Sequence, residues 1–160
     1  YADDDPTSTR TITATALTAT SAAASASKVI SVINVAPTTT QPANITAMAG
    51  VPISIPFGTF TDPGFSANAT TETFNVTINW GDNKPNDVYV PSSTNGSSGT
   101  STSGSLGSRT HTFDTPGTYT TTITISDDDG GSSTKSITVT VNSVGLTFPN
   151  MTGSEGNGPG

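Results

Sequence analysis

The sequence predicts an all-β sandwich, and three observations predict it. Four windows alternate apolar and polar residues with period two. Clusters of Gly, Pro, Asn and Asp punctuate the chain between them. Thr and Ser make up roughly a third of the 160 residues, a composition that suits half-buried strands and turns better than helices.

The windows come first because they define the expected core. Val51, Ile53, Ile55 and Phe57 share one face, with Pro52, Ser54 and Pro56 on the other. Phe74, Val76, Ile78 and Trp80 lie opposite Asn75, Thr77 and Asn79. Tyr119, Ile123 and Ile125 alternate with Thr118, Thr120, Thr122 and Thr124. Ile137, Val139 and Val141 alternate with Ser136, Thr138 and Thr140. This is the pattern of antiparallel strands with apolar residues inside and hydroxyls outside. The stretch from Ala14 to Ala26 is rich in Ala, but Thr and Ser interrupt it too often for a helix, so strand and loop are expected there. Turn signals separate the windows at Asp62-Pro63-Gly64, Gly81-Asp82-Asn83, Pro116-Gly117 and Asp129-Gly130-Gly131. Between Pro91 and Arg109 only Leu106 is clearly apolar, and a mobile surface loop is expected.

Composition excludes several classes. Hydrophobic residues make up 31% and charged residues 11%, and the net charge is −7. The five cations are Arg10, Lys28, Lys84, Arg109 and Lys135, too few to hold a nucleic acid backbone. Without cysteine there is no disulfide and no thiolate metal site. No apolar run approaches about 20 residues, so no membrane insertion is expected. The opening Tyr1 reads as the start of an internal or processed piece of a longer protein.

The chain echoes itself. Residues 113–144 read FDTPGTYTTTITISDDDGGSSTKSITVTVNSV, and residues 1–35 read YADDDPTSTRTITATALTATSAAASASKVISVINV. Each has an aromatic, a Pro-containing turn, a Thr-alternating strand, a loop, a Lys and a closing strand. Repetition of this kind is the mark of an array. Residues 1–35 are therefore expected to be the last strands of one unit (or strands that complete another). Residues 36–144 form a whole domain, and 145–160 a linker or the start of the next unit.

Several short motifs occur in a recognisable order: Asn79-Trp80-Gly81-Asp82, Thr110-His111-Thr112-Phe113, Pro116-Gly117-Thr118-Tyr119, Asp127-Asp128-Asp129-Gly130 and Ile137-Thr138-Val139-Thr140-Val141. Together they resemble the polycystic-kidney-disease (PKD) domain family. Asn34-Val35-Ala36-Pro37 is similar to the junctions between its tandem copies in bacterial surface proteins. The resemblance implies an immunoglobulin-like sandwich. It also implies a non-catalytic extracellular role in spacing, adhesion or carbohydrate association. Asn83 stands where the family often has Gly, and Asn also tolerates left-handed geometry. The first copy carries Leu17-Thr18-Ala19-Thr20-Ser21-Ala22 in place of the acidic loop.

Candidate sites are few. Asp127, Asp128 and Asp129 in one turn could relieve their mutual repulsion by holding Ca²⁺, and the bland alternative is an acidic turn that caps its own amides. Asp3, Asp4 and Asp5 form a second such run. Sequons place candidate glycans at Asn44, Asn68, Asn75, Asn95 and Asn150. Trp80 reads as core. His111, the one histidine, reads as a structural strand residue, since no Gly-x-Ser-x-Gly elbow accompanies it. Paired acids across a cleft are not visible. The expected role is an extracellular structural repeat that self-associates or runs in tandem at the cell surface, with glycans as possible decoration. The alternative is a carbohydrate- or surface-binding accessory domain, which calls for exposed aromatics; Phe60, Phe65 and Tyr89 are the ones outside the core pattern.

Overall fold

The computed structural model describes residues 9–17, 19, 23–67 and 71–145. The run Asp3–Asp5, the sequons at Asn68 and Asn150, and most of the 145–160 segment lie outside them. The described residues form strands without helix. A ribbon comes first, β1 (Thr9–Leu17) and β2 (Ala23–Ser31). The body follows with β3 (Thr38–Thr39), β4 (Ile45–Met48), β5 (Ile53–Pro56), β6 (Thr59–Asp62), β7 (Phe74–Asn79), β8 (Asp87–Tyr89), β9 (Ser92–Thr94), β10 (Thr102–Ser105), β11 (Ser108–His111), β12 (Gly117–Asp127) and β13 (Ser132–Asn142).

The body is a β-sandwich of two layers. One layer is the five-stranded sheet β4-β13-β12-β7-β8. The other combines β3-β6-β10-β9 with the pair β11-β5. These two pieces are one bent ladder. The Phe57 amide donates to the Gly107 carbonyl at 2.9 Å, and the Leu106 amide to the Gly58 carbonyl at 2.9 Å. Gly58 and Gly107 both take positive φ (86° and 70°), which lets the paired strands bend together. A side chain at Gly58 would also run into the Thr40 hydroxyl. At the bend Phe57 and Leu106 turn inward and are fully buried.

Period-two alternation fills the interior as expected. Ile55, Phe57, Phe74, Val76, Ile78, Trp80, Ile123, Ile125, Ile137, Val139 and Val141 are buried together. Contacts between rings tie the layers: Phe60 of β6 meets Phe74 of β7 at 4.7 Å, and Phe57 meets Trp80 at 6.0 Å. Outward residues carry hydroxyls, and some of these pair across strands, as Thr124 and Thr134 do at 2.8 Å. Thr121 is an inward exception. Enclosed between Tyr119 and Ile123, its hydroxyl donates to the Trp80 carbonyl at 3.0 Å, so its polar atom is satisfied.

Three details differ from the sequence expectation. The segment 91–109 is not a loose loop: it supplies β9, β10 and the start of β11. Its ladder needs few apolar residues because Gly104 lies over the Phe60 ring and Leu106 alone anchors it. Val51 is 48% exposed, since the turn Ala49–Gly50 precedes it and its amide closes on the Met48 carbonyl. Phe60 is 1% exposed and belongs to the core.

Two strands change layer at the edges. β3 pairs with β6, and after Pro42 the same stretch of chain pairs with β13 as β4, in parallel. Gln41 Nε2 donates to the Ser136 carbonyl at 2.7 Å and fixes the crossing. On the other side β8 pairs with β7, and after Pro91 the chain pairs with β10 as β9. Edge strands are thus two to four residues long and bounded by prolines, which blunts them against pairing with other chains.

Leu106 decides whether the 91–109 segment is structural. Leu106→Ala should destabilise the fold by about 2–5 kcal/mol in urea unfolding, the cost of a core cavity, and not by the few tenths expected of a loop residue.

Candidate functional site

Around Trp80 the sequence assembles a buried polar cluster. β7 delivers Trp80 into the core, and the turn after it carries Asp82 and Asn83, the latter with φ 64° as its type allows. β11 brings His111 from the other layer. Its ring stacks on Trp80 at 4.2 Å and 9°, and meets Phe113 edge-on at 4.7 Å. His111 Nε2 lies 2.7 Å from Asp82 Oδ2, with the Asp82 side chain only 6% exposed. The other carboxylate oxygen accepts the Lys84 amide at 3.2 Å. Lys84 Nζ in turn bonds the Thr112 carbonyl at 2.7 Å and pairs with Asp114 at 2.8 Å.

Burial pushes the Asp82 carboxyl up, but the His111 hydrogen bond, the Lys84 amide and the nearby charges of both residues outweigh it and hold it below its ordinary value. Among the described residues the imidazole bonds Asp82 and no serine hydroxyl joins the pair. His111 and Asp82 form a strut across the layers.

The acidic turn is equally committed. Asp127, 8% exposed, accepts the Gly131 amide at 2.6 Å and both Asn34 Nδ2 contacts at 3.1 Å. Asp128 Oδ1 accepts the Thr73 amide at 2.9 Å. Asp129 is half-buried in the same turn. Among the described residues no group of three or more His, Cys, Asp or Glu is arranged to hold a metal ion. Asn34 is the partner that sequence reasoning missed. It sits in the quoted junction motif, but nothing local in the sequence connects it to a residue 93 positions away.

The described sequons divide by what their amides do. Asn95 binds the Ser66 backbone with both side-chain atoms, Oδ1 to the amide at 2.7 Å and Nδ2 to the carbonyl at 3.0 Å. Asn44 uses Oδ1 to accept the Thr138 amide at 2.9 Å. Asn75 is exposed on the outer face of β7. The aromatics do not form a strip: none of those described is fully exposed. Tyr89 donates to the Leu106 carbonyl at 2.5 Å and is covered by the Arg109 guanidinium, 3.6 Å above its ring. Burial raises its phenol above the ordinary value, with Arg109 acting against the shift and Asp87 adding to it. An open groove of about 490 Å³ on the second layer is lined by hydroxyls such as Thr59, Thr61, Ser92, Thr94, Ser103 and Ser105, and by no ionisable group.

The ribbon is the remaining unusual surface. Arg10 pairs with Ile30, Ile12 with Lys28, Ala14 with Ala26 and Ala16 with Ala24. One face is therefore apolar with two cations, and the other carries Thr9, Thr11, Thr13 and Thr15 opposite Ser31, Val29, Ser27 and Ser25. In β12–β13 the same register recurs: Thr121 pairs with Ile137, Ile123 with Lys135 and Ile125 with Ser133. Ile123 is 3% exposed beneath the second layer, whereas Ile12 is 51% exposed. No protein-family model matches the chain, and no curated protein does either.

Two outcomes follow from this geometry. Asp82 titrates lower in the folded chain than in the unfolded one, where the value is about 3.9. Its stabilisation is therefore complete above that pH and is lost as pH falls through the folded value. Asp82→Asn should cost about 1.5–3 kcal/mol at pH 7, and urea titrations should show the gap to the parent chain narrowing towards pH 3. Millimolar Ca²⁺ should leave the melting temperature of the chain unchanged, because the turn carboxylates already have partners; a rise of several degrees that a chelator reverses would show that they can be recruited.

Proposed function

We propose that the chain is a non-catalytic structural module of an extracellular fibre or surface array, immunoglobulin-like and akin to PKD repeats, with the ribbon β1–β2 as its coupling element. One observation carries this reading. The ribbon has the pairing register of β12–β13, Ile12 facing Lys28 as Ile123 faces Lys135, yet its apolar face is left uncovered. A two-stranded ribbon alone is marginally stable in water, so its apolar face calls for a covering layer. Both its strands are nine residues long and neither contains Gly or Pro, in contrast to the blunted edges of the body. Long open edges with an apolar face are templates for another chain.

Charge supports a copy of the same protein as the neighbour. Residues 9–35 carry Arg10 and Lys28 and no acid, while the body is acidic. Opposite potentials of this kind favour head-to-tail contact, which propagates into filaments. Glycans at the exposed Asn75 and at Asn44 are compatible with an extracellular surface, since among the described residues neither side-chain nitrogen makes a hydrogen bond that would be lost.

Negative-stain images and light scattering of the full chain over a concentration series test the reading. Linear assemblies are expected at high concentration, and Ile12→Asp should abolish them while leaving the melting temperature of the body in place. Isolated particles at every concentration would overturn self-assembly.

A further inference from the structure

Between the ribbon and the body runs the segment 32–37, and its course is fixed by the acidic turn of the body. Asn34 Nδ2 lies 3.1 Å from each oxygen of Asp127. The same carboxylate takes the Gly131 amide at 2.6 Å, and the Asp127 amide donates to the Gly131 carbonyl at 3.1 Å. The turn thus holds its own aspartate rigid and aims it at the segment. Burial of a carboxylate to 8% exposure is costly, and these hydrogen bonds offset that cost. Space is equally tight. A side chain at Gly131 would collide with the Asp127 carboxylate and come within 2.8 Å of Ala36 Cα and 2.9 Å of Asn34 Nδ2. Immediately after Ala36, Pro37 is buried and restricts the backbone where the segment enters β3.

We infer that Asp127 is a staple between successive units: its carboxylate grips the side-chain amide of the strand leaving the preceding ribbon and so sets the angle at which the two units are joined. Sequence order gives the joint a direction. The amide comes from the segment that leads into β3, and the carboxylate from the turn between β12 and β13. The ribbon cannot form the same joint at its own turn. In the shared register Ala16 stands in the place of Asp127, and Ala24 in the place of Gly131. The acidic run therefore acts as a hinge stop, and an array built from such units is stiff at this junction.

Stiffness is a property of the single chain and is measured at dilution, so its outcome is separate from whether fibres form. ¹⁵N relaxation on the full chain reads it. In the parent chain the ribbon amides should tumble with the body, with order parameters of about 0.85 in a common frame. Asn34→Ala and Asp127→Ser should each drop the ribbon below about 0.6 while the body keeps its own values. The exchanged pair, Asn34→Asp with Asp127→Asn, retains one amide and one carboxylate across the junction and should restore common tumbling. If Asp127→Ser unfolds the body, Asn34→Ala decides, because it leaves the turn untouched. Independent tumbling of the ribbon in the parent chain, or unchanged coupling in Asn34→Ala, would overturn the staple.

Discussion

Trp80 is the residue on which the two layers close. Its indole lies beneath Phe57 from one layer and against the flat of His111. Its carbonyl receives the Thr121 hydroxyl from the neighbouring strand. Each of these contacts links parts of the chain that are far apart in sequence, so the tryptophan is a packing centre and a hydrogen-bonding centre at once. The polar atoms nearby are all drawn into supporting it: His111 is held by Asp82, and Asp82 by the turn that follows the tryptophan. The Asp82–His111 pair thus links the strand that carries the tryptophan to the opposite layer.

Beyond that centre, the molecule ends its sheets in two opposite ways. In the body, strands cross between layers at Pro42 and Pro91, and the exposed edges are short. In the ribbon, two long strands leave both edges open and one face apolar. The contrast lies in the sequence itself. Prolines are frequent in the body, whereas residues 9–31 have none. Among the described residues, long open edges are confined to a single element, the ribbon.

Much of this architecture was legible before the structure. Alternation identified the strands around Phe74–Trp80, Gly117–Asp127 and Ile137–Val141 because their inner positions are aliphatic or aromatic and their outer ones hydroxylic. The same rule failed between Pro91 and Arg109, where β9 and β10 are built from Ser, Thr and Gly. Hydroxyl-rich strands pair through backbone bonds and a single anchor, Leu106, so no periodic signal marks them. Inward Thr121 was hidden for a related reason, since only the carbonyl of Trp80 makes its burial tolerable. The role of Asp127 was the least legible. Its composition suggested a cation, while the hydrogen bonds it makes in the structure include Asn34, a residue 93 positions away, and such long-range pairing leaves no mark in local spacing.

The short, proline-bounded edges of the body carry a consequence for biosynthesis. Tandem copies of near-identical β domains emerge from the ribosome at very high mutual concentration, and strands of one can be captured by the next before either is complete. Strands of two to four residues that switch layers midway offer little for such capture to grow from. Joined in tandem, as proposed above, such units would fold one at a time, with misassembly suppressed by the geometry of each unit and without the help of disulfides, which this chain cannot make.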